Sequence, residues 1–132
     1  MSLLEVVMKR SVAESWLLLL YFEFVMRFRG FKALNTIVGK AKVRPSRVTY
    51  LRKSADLCHA MDLACVFYFK QVMCLHRSAA TTLLLRRHGW EAEMVIGAQI
   101  LPFKSHAWVE IGGAVVNDKP YMLEIYQVLE RC

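Results

Sequence analysis

The stretch CLHRSAATTLLLRRHG, residues 74–89, decides the fold, because it carries a clear helix end and begins with a cysteine. Arg86, Arg87 and His88 fall in its last turn, where cations suit the helix dipole. Gly89 follows at the position where a left-handed residue ends many helices. The pattern therefore predicts a helix that begins at or just after Cys74. That cysteine is either a buried structural thiol or a catalytic nucleophile.

The chain before this stretch predicts helices. Residues 2–34 repeat apolar side chains at helical spacing without a proline. Ser11 and Glu14 form a capping-box pattern that would divide this region near Arg10, and Gly30 would end or bend it. We expect one of its faces to be buried, that of Leu17, Leu20, Phe24 and Phe28. A connector containing Pro45 leads to a second helix, capped by Ser46 and running to about residue 69.

The chain after Gly89 changes to a period of two and predicts strands. EAEMVIGA (91–98), SHAWVEI (105–111) and AVVN (114–117) would form an antiparallel meander, and Gly112–Gly113 would turn its last hairpin. The C-terminal YMLEIYQVLERC is compatible with a short helix that packs on the body. Helices followed by a small antiparallel sheet predict an α+β fold.

Composition limits the class of protein. The chain has 132 residues, 56% of them hydrophobic, and a net charge of +7. These values predict one ordered domain with a partly apolar surface, which would suit a partner protein or a membrane face. The N-terminus lacks a signal-peptide pattern, and no apolar run reaches the roughly 20 residues of a membrane span. We therefore expect a cytoplasmic protein with four reduced cysteines. Residues 40–53 carry six cations and no acid, but only one aromatic residue, Tyr50, so we expect no nucleic acid partner.

Three residues together suggest nucleophilic acyl transfer. A helix start at Cys74 would favour a thiolate and would also offer N–H groups to an oxyanion. His106 opens a strand on the face of Trp108 and Glu110, opposite the apolar core set. Asp118 could accept a hydrogen bond from His106 and fix its tautomer. The ordinary alternatives are a buried thiol, a solvated histidine and a turn aspartate.

Strand register sets a condition on this triad. A strict two-residue Gly-Gly loop pairs Ile111 with Ala114, and hence Ala107 with Asp118, which puts Asp118 on the wrong face. We therefore predict a three-residue turn with a glycine bulge, or a bulge within a strand, beside His106. A plain two-residue hairpin would count against the triad.

Metal and cofactor sites are not expected. Cys58, His59, Cys65, Cys74 and His76 do not follow a zinc-finger spacing. The chain has neither a phosphate-binding loop nor a dinucleotide fingerprint. The sequence therefore predicts no metal and no cofactor.

The last half of the chain resembles the transglutaminase-like leader peptidases of lasso peptide biosynthesis. That family combines a Cys-Leu-x-Arg-Ser helix start, a Leu-Leu-Arg-Arg-x-Gly helix end, a Val-Ile-Gly strand, a His-Ala-Trp-Val-Glu strand and a later aspartate. Here these motifs read CLHRS, LLRRHG, VIGA, SHAWVE and ND, in the same order. The resemblance implies a papain/transglutaminase-like core with N-terminal helices and a central helix that starts at the catalytic cysteine.

The resemblance also implies a function. Cys74 would be the nucleophile, His106 the base and Asp118 the orienting acid of a cysteine peptidase that removes the leader from a lasso precursor peptide. The length implies one domain, with a helical region (1–45) and a catalytic core (46–132), and implies the split form that works with a separate leader-recognition protein and an asparagine-synthetase-like cyclase. A non-catalytic scaffold subunit and an amide acyltransferase remain alternatives.

Overall fold

The structure, a computed structural model, describes residues 3–43, 54–100 and 102–132. In chain order its elements are α1 (Leu3–Phe28), α2 (Gly30–Lys40), α3 (Ser54–Phe67), α4 (Cys74–Arg87), β1 (Ala92–Gln99), β2 (Lys104–Ile111), β3 (Ala114–Val115), α5 (Met122–Ile125) and β4 (Gln127–Arg131). The strands form an antiparallel sheet in the order β3-β2-β1-β4. The predicted α+β class is confirmed.

Helix α4 is the centre of the packing. It contacts α1, α2 and α3 on one side and strands β1 and β2 on the other. Its boundaries are those predicted: it begins at Cys74, and Gly89 has a φ of +90°. Trp90 donates its backbone N–H to the Leu85 carbonyl at 2.9 Å, which closes a Schellman-type end. The nucleophile candidate therefore stands at one end of the helix that joins the helical layer to the sheet.

Helix α1 is continuous and buries a different face from the one predicted. Leu17, Phe24 and Phe28 are 60%, 52% and 72% exposed, whereas Leu19 and Phe22 are in the core. The buried face also includes Ser11 and Ser15, and the Ser15 hydroxyl donates to the Ser11 carbonyl at 2.7 Å. Because Ser11 is buried within the helix, the capping box and the division near Arg10 are wrong. The break at Gly30 is confirmed, with a φ of +82°.

The predicted start of α3 cannot be compared with the structure. The proposed cap Ser46 lies outside the described residues, and the described helix runs from Ser54 to Phe67. Its buried side chains lie along one side and face α1 and α4: Leu57, Cys58, Ala60, Met61 and Ala64.

The C-terminal segment is a helix only in part. After the single turn α5, residues from Gln127 to Arg131 form β4 along the outer edge of β1. Cys132 extends this pairing through two backbone bonds with Met94, at 2.8 and 2.9 Å. The prediction of a three-stranded sheet with a helical tail is therefore wrong, and the last strand gives β1 a partner on both sides.

The sheet has two covered faces. Met94 and Val109 join the main helical core, while Val95, Trp108 and Met122 form a second cluster on the opposite face. Trp108 and Glu110 are buried, so the expectation that their face of β2 points away from a core is wrong. His106 lies at the edge of this second cluster.

Among the described ranges, no helix has both the length and the apolar character that a membrane span requires.

Candidate active site

Cys74 is the first residue of α4. Met73 before it is extended (φ −74°, ψ 150°), and no side chain caps the helix start. The first helical backbone bond runs from the Arg77 N–H to the Met73 carbonyl at 3.0 Å. The N–H groups before Arg77 therefore have no partner within the helix, and Met73 has no side-chain acceptor for them. Such donors suit a thiolate or an oxyanion at Cys74.

The other three cysteines are held as neutral thiols. Burial raises the pKa of the Cys58 thiol to about 11. Desolvation is also the main cause that raises the pKa of Cys65 and of Cys132. All four cysteines are free, and Cys74 is half-buried. At neutral pH the other three therefore stay protonated and react slowly as nucleophiles.

His106 and Asp118 are in direct contact. The His106 Nε2 lies 2.6 Å from Asp118 Oδ2, and each side chain is about three-quarters buried. The second carboxylate oxygen accepts the Lys119 backbone N–H at 2.8 Å, which orients the carboxylate. When Nε2–H donates a hydrogen bond to Asp118, the unprotonated Nδ1 becomes the basic nitrogen of the ring. The pair can therefore deprotonate a group that approaches Nδ1.

The hairpin that brings Asp118 to His106 is not the predicted one. Ile111 pairs with Ala114 across a plain two-residue turn, and both Gly112 and Gly113 have a positive φ, as a type I′ turn requires. The prediction of a three-residue turn with a glycine bulge is therefore wrong. The condition attached to it is also wrong, since the His106–Asp118 contact forms on a plain hairpin.

The Asn117 side chain explains how the His106–Asp118 contact forms on a plain hairpin, a role that the sequence did not indicate. The ladder ends early: β3 has two residues, and Val116 makes one further backbone bond, to the Val109 carbonyl at 2.9 Å. The Asn117 side-chain oxygen then accepts the Val109 N–H at 2.7 Å, where a backbone carbonyl would have stood. The main chain thereby leaves the regular pairing of the strands. Asp118 is therefore not confined to the face of the sheet that strict alternation assigns to it, and its side chain contacts His106.

Aromatic rings surround His106. Its ring lies 5.4 Å from the Tyr126 ring and 6.2 Å from the Trp108 ring, at 29° to each. The Trp108 indole N–H donates to Glu110 Oε2 at 2.8 Å, and Arg131 donates to Glu110 Oε1 at 2.9 Å. Glu110 is only 2% exposed, so a buried carboxylate is fully engaged in holding the ring beside the histidine. The sequence placed Trp108 and Glu110 on the face of His106 but gave them no role.

Gly97 lies opposite His106 in the β1–β2 register. A Cβ at this position would stand 2.7 Å from Trp108 Cη2 and 2.9 Å from Tyr126 Cβ. Both rings stack with His106, so any side chain at 97 would push against the groups that hold the histidine. This close approach accounts for the glycine in VIGA.

We predict that Gly97→Ala lowers the free energy of unfolding by about 1–3 kcal/mol, because the added methyl overpacks Trp108 and Tyr126. Urea unfolding would measure the loss, and near-ultraviolet circular dichroism would report the displaced tryptophan. Gly39→Ala is the matched control, since a Cβ there meets nothing within 4 Å in helix α2. Equal stability of the two variants would contradict the proposed crowding.

Two glutamine side chains, Gln71 and Gln99, could supply a second hydrogen-bond donor to the oxyanion. The Gln99 amide is engaged elsewhere. Its Nε2 donates to the Pro102 carbonyl at 3.1 Å and braces the β1–β2 loop. The other, Gln71, lies in the connection before Cys74. Of the two, only Gln71 remains a candidate.

The first turn of α4 rests on charged groups from other elements. Glu23 of α1 binds Lys70 (2.5 Å between Nζ and Oε1) and faces His76, whose Nε2 lies 3.7 Å from Oε2. Arg77 pairs with Asp62 of α3. Burial lowers the pKa of His76, against a smaller opposite effect of Glu23. His76 is therefore neutral at pH 7 and is distinct from the His106–Asp118 pair.

A separate cavity lies away from the three candidate residues. A cavity of about 670 Å³ at the far end of α4 is lined by Arg86, Glu110, Arg131 and the Gly112–Gly113 turn, and by neither Cys74 nor His106. Within the described part of the chain, no three His, Cys, Asp or Glu side chains are grouped so that they could hold a metal ion.

The structure brings together His106 and Asp118, and it puts Cys74 at the start of the helix that packs on the His106 strand. The roles of the three residues remain predictions.

Comparison with known proteins adds a family. Residues 18–131 match the model of the transglutaminase-like superfamily. The microcin J25-processing protein McjB of Escherichia coli is 43% identical over 56 residues, which is 42% of this chain and 27% of McjB. The match thus spans about a quarter of the length of that relative. No solved structure matches the chain.

Proposed function

Since the chain belongs to the transglutaminase-like superfamily, we propose that it is a cysteine peptidase that removes the leader from a ribosomally made lasso peptide precursor. The contact between His106 and Asp118 is the observation that carries the catalytic part of this proposal. The similarity to McjB, by name a microcin J25-processing protein, supports the class of substrate.

In the proposed reaction, His106 Nδ1 takes the proton of the Cys74 thiol, and Asp118 stabilises the imidazolium through Nε2. The thiolate attacks the carbonyl carbon at the end of the leader. The backbone N–H groups at the start of α4 stabilise the resulting oxyanion. His106 then gives its proton to the leaving amine, which frees the core peptide and leaves the leader as a thioester on Cys74.

Water completes the cycle. His106 takes a proton from the water molecule that attacks the thioester carbonyl, and returns it to the departing Cys74 sulfur. The products are the leader with a new carboxylate, the core peptide with a free amine, and the original thiol. A separate leader-recognition protein would deliver the precursor, and an asparagine-synthetase-like cyclase would take up the core. We place this activity in the cytoplasm.

The proposal is tested by mixing the protein with a candidate precursor and its leader-recognition protein and following peptide mass. We expect two products whose masses sum to the precursor plus one water. Incorporation of an added amine without hydrolysis would instead identify an acyltransferase. An intact precursor in the presence of a recognition protein that demonstrably binds it would favour a scaffold and overturn the peptidase.

A further inference from the structure

One carboxylate of helix α1 lies against the residues on both sides of the nucleophile. Glu23 binds Lys70, which lies four residues before Cys74, and it faces His76, which lies two residues after Cys74. The Glu23 and His76 side chains are mostly buried, whereas Lys70 is half exposed. The proposed reaction uses none of the three.

The connection between α3 and α4, which Glu23 contacts through Lys70, is not held by regular secondary structure. Residues 71–73 have no regular secondary structure, and the helix that follows has no side-chain cap. The connection instead packs around a cavity of about 10 Å³ beside Leu19 and Glu23, lined further by Tyr68, Gln71, Val72, Met73 and His76. Because the Glu23 carboxylate is mostly buried, salt screens its attraction to Lys70 less than it screens a pair of fully exposed charges.

We propose that Glu23 is a positioning residue for Cys74: its carboxylate holds Lys70 and faces His76, and thereby fixes the first turn of α4 relative to His106. This inference rests on the proposed function. His76 contributes as a neutral side chain, because burial lowers its pKa, so Lys70 is the cation that neutralises Glu23. A cation at His76 would also oppose the helix dipole in the first turn.

The geometry predicts the effect of breaking the pair. A displacement of about 1 Å at a reacting atom can cost on the order of 10²-fold in rate. Since only one of several contacts is lost, we expect Glu23→Gln to lower the rate of leader removal at saturating precursor about tenfold, with KM little changed. We expect Lys70→Met to do the same, and the double variant to be no slower than either single one, because both break one interaction.

The rate of Cys74 alkylation by iodoacetamide provides a readout that needs no precursor. Under the positioning role, breaking the Glu23–Lys70 pair misaligns Cys74 and His106 and slows alkylation in both single variants. A simple charge effect would act in opposite directions: removing the negative charge at Glu23 would favour the thiolate, and removing the positive charge at Lys70 would disfavour it. Opposite shifts would therefore overturn the positioning role.

Glu14→Gln is the matched control. Glu14 lies on the same helix and pairs with Arg87 and His88 at the other end of α4, so its loss weakens the same helix contact without reaching Cys74. We expect it to alkylate and cleave like the unaltered protein. Equal effects of Glu14→Gln and Glu23→Gln would reduce Glu23 to a structural contact and overturn the inference.

The outcomes separate this inference from the proposed function. If the unaltered protein cleaves no precursor, the peptidase proposal fails, while the alkylation series still decides the role of Glu23. If Glu23→Gln does not fold, Lys70→Met breaks the same pair from a half-exposed side chain and carries the test. Alkylation of both variants at the unaltered rate would overturn the inference.

Discussion

Replacement of Cys74 by alanine is expected to lower the rate of leader removal by roughly 10⁴-fold or more, since burial raises the pKa values of the other three thiols and none of them stands at the start of α4. The fold should survive, because Cys74 is half-buried and alanine is a strong helix former. Peptide mass spectrometry under single-turnover conditions would measure the rate, and far-ultraviolet circular dichroism would confirm the helices.

Cys65→Ala is the control for this result. Cys65 is also half-buried, and burial raises the pKa of its thiol, so its loss should leave cleavage within about twofold of the unaltered rate. Iodoacetamide followed by peptide mapping should label Cys74 before Cys58, Cys65 and Cys132. Cleavage that persists in Cys74→Ala would remove the cysteine mechanism altogether.

Helix α4 was predictable because its signals are local. A left-handed glycine, Gly89, and a change of period after it mark the end of the helix within a few residues of sequence. The buried face of α1 was not predictable in the same way. Apolar side chains lie at helical spacing both on the face of Phe24 and on the face of Phe22, so periodicity cannot choose between them. The choice follows from Ser11 and Ser15, whose small side chains lie on the face that meets the other helices.

The candidate site also combines features that the sequence could predict with features that it could not. The pairing of His106 with Asp118 could be proposed from residue types and strand order, but its route could not, because it depends on a side-chain acceptor at Asn117 in place of a backbone one. The buried Glu110 had a usable signal: Trp108 stands two residues earlier, hence on the same face of the strand, with an N–H to donate. No local sequence pattern indicated the role of Glu23, because its partner Lys70 lies far away in the chain, in the connection between α3 and α4.

The role of Arg86 was also not predictable from the sequence, because its partners lie on other elements. Arg86 resembles an ordinary cation in the last turn of a helix, yet it is only 8% exposed, and its guanidinium serves carbonyls of other elements. Nε donates to Ala92 at 2.9 Å, Nη2 to Cys132 at 2.8 Å, and Nη1 to Val38 and, at 3.1 Å, to Ala41. One side chain thereby joins the end of α2, the start of β1 and the end of the chain to α4.

We expect Arg86→Met to lower the free energy of unfolding by about 3–5 kcal/mol, because it removes four charge-assisted hydrogen bonds of a buried guanidinium while keeping most of the side-chain volume. Such a loss is a large part of the 5–15 kcal/mol that is typical of a domain. Arg86→Lys should fall between, since an ammonium group keeps the charge but cannot reproduce the planar fork. Urea unfolding followed by circular dichroism would rank the three proteins.

The neighbouring Arg87→Met is the control that isolates burial. Arg87 is half-exposed and pairs with Glu14 at 3.0 Å, an interaction worth about 0–1 kcal/mol. If Arg86→Met were as mild as Arg87→Met, the four hydrogen bonds of the Arg86 guanidinium would contribute little to stability, and the guanidinium would not be the group that joins α2, β1 and the C-terminal residue. A graded loss from Arg87→Met through Arg86→Lys to Arg86→Met would instead show that the second arginine of LLRRHG lies on the surface and the first holds the fold in which Cys74 and His106 are placed.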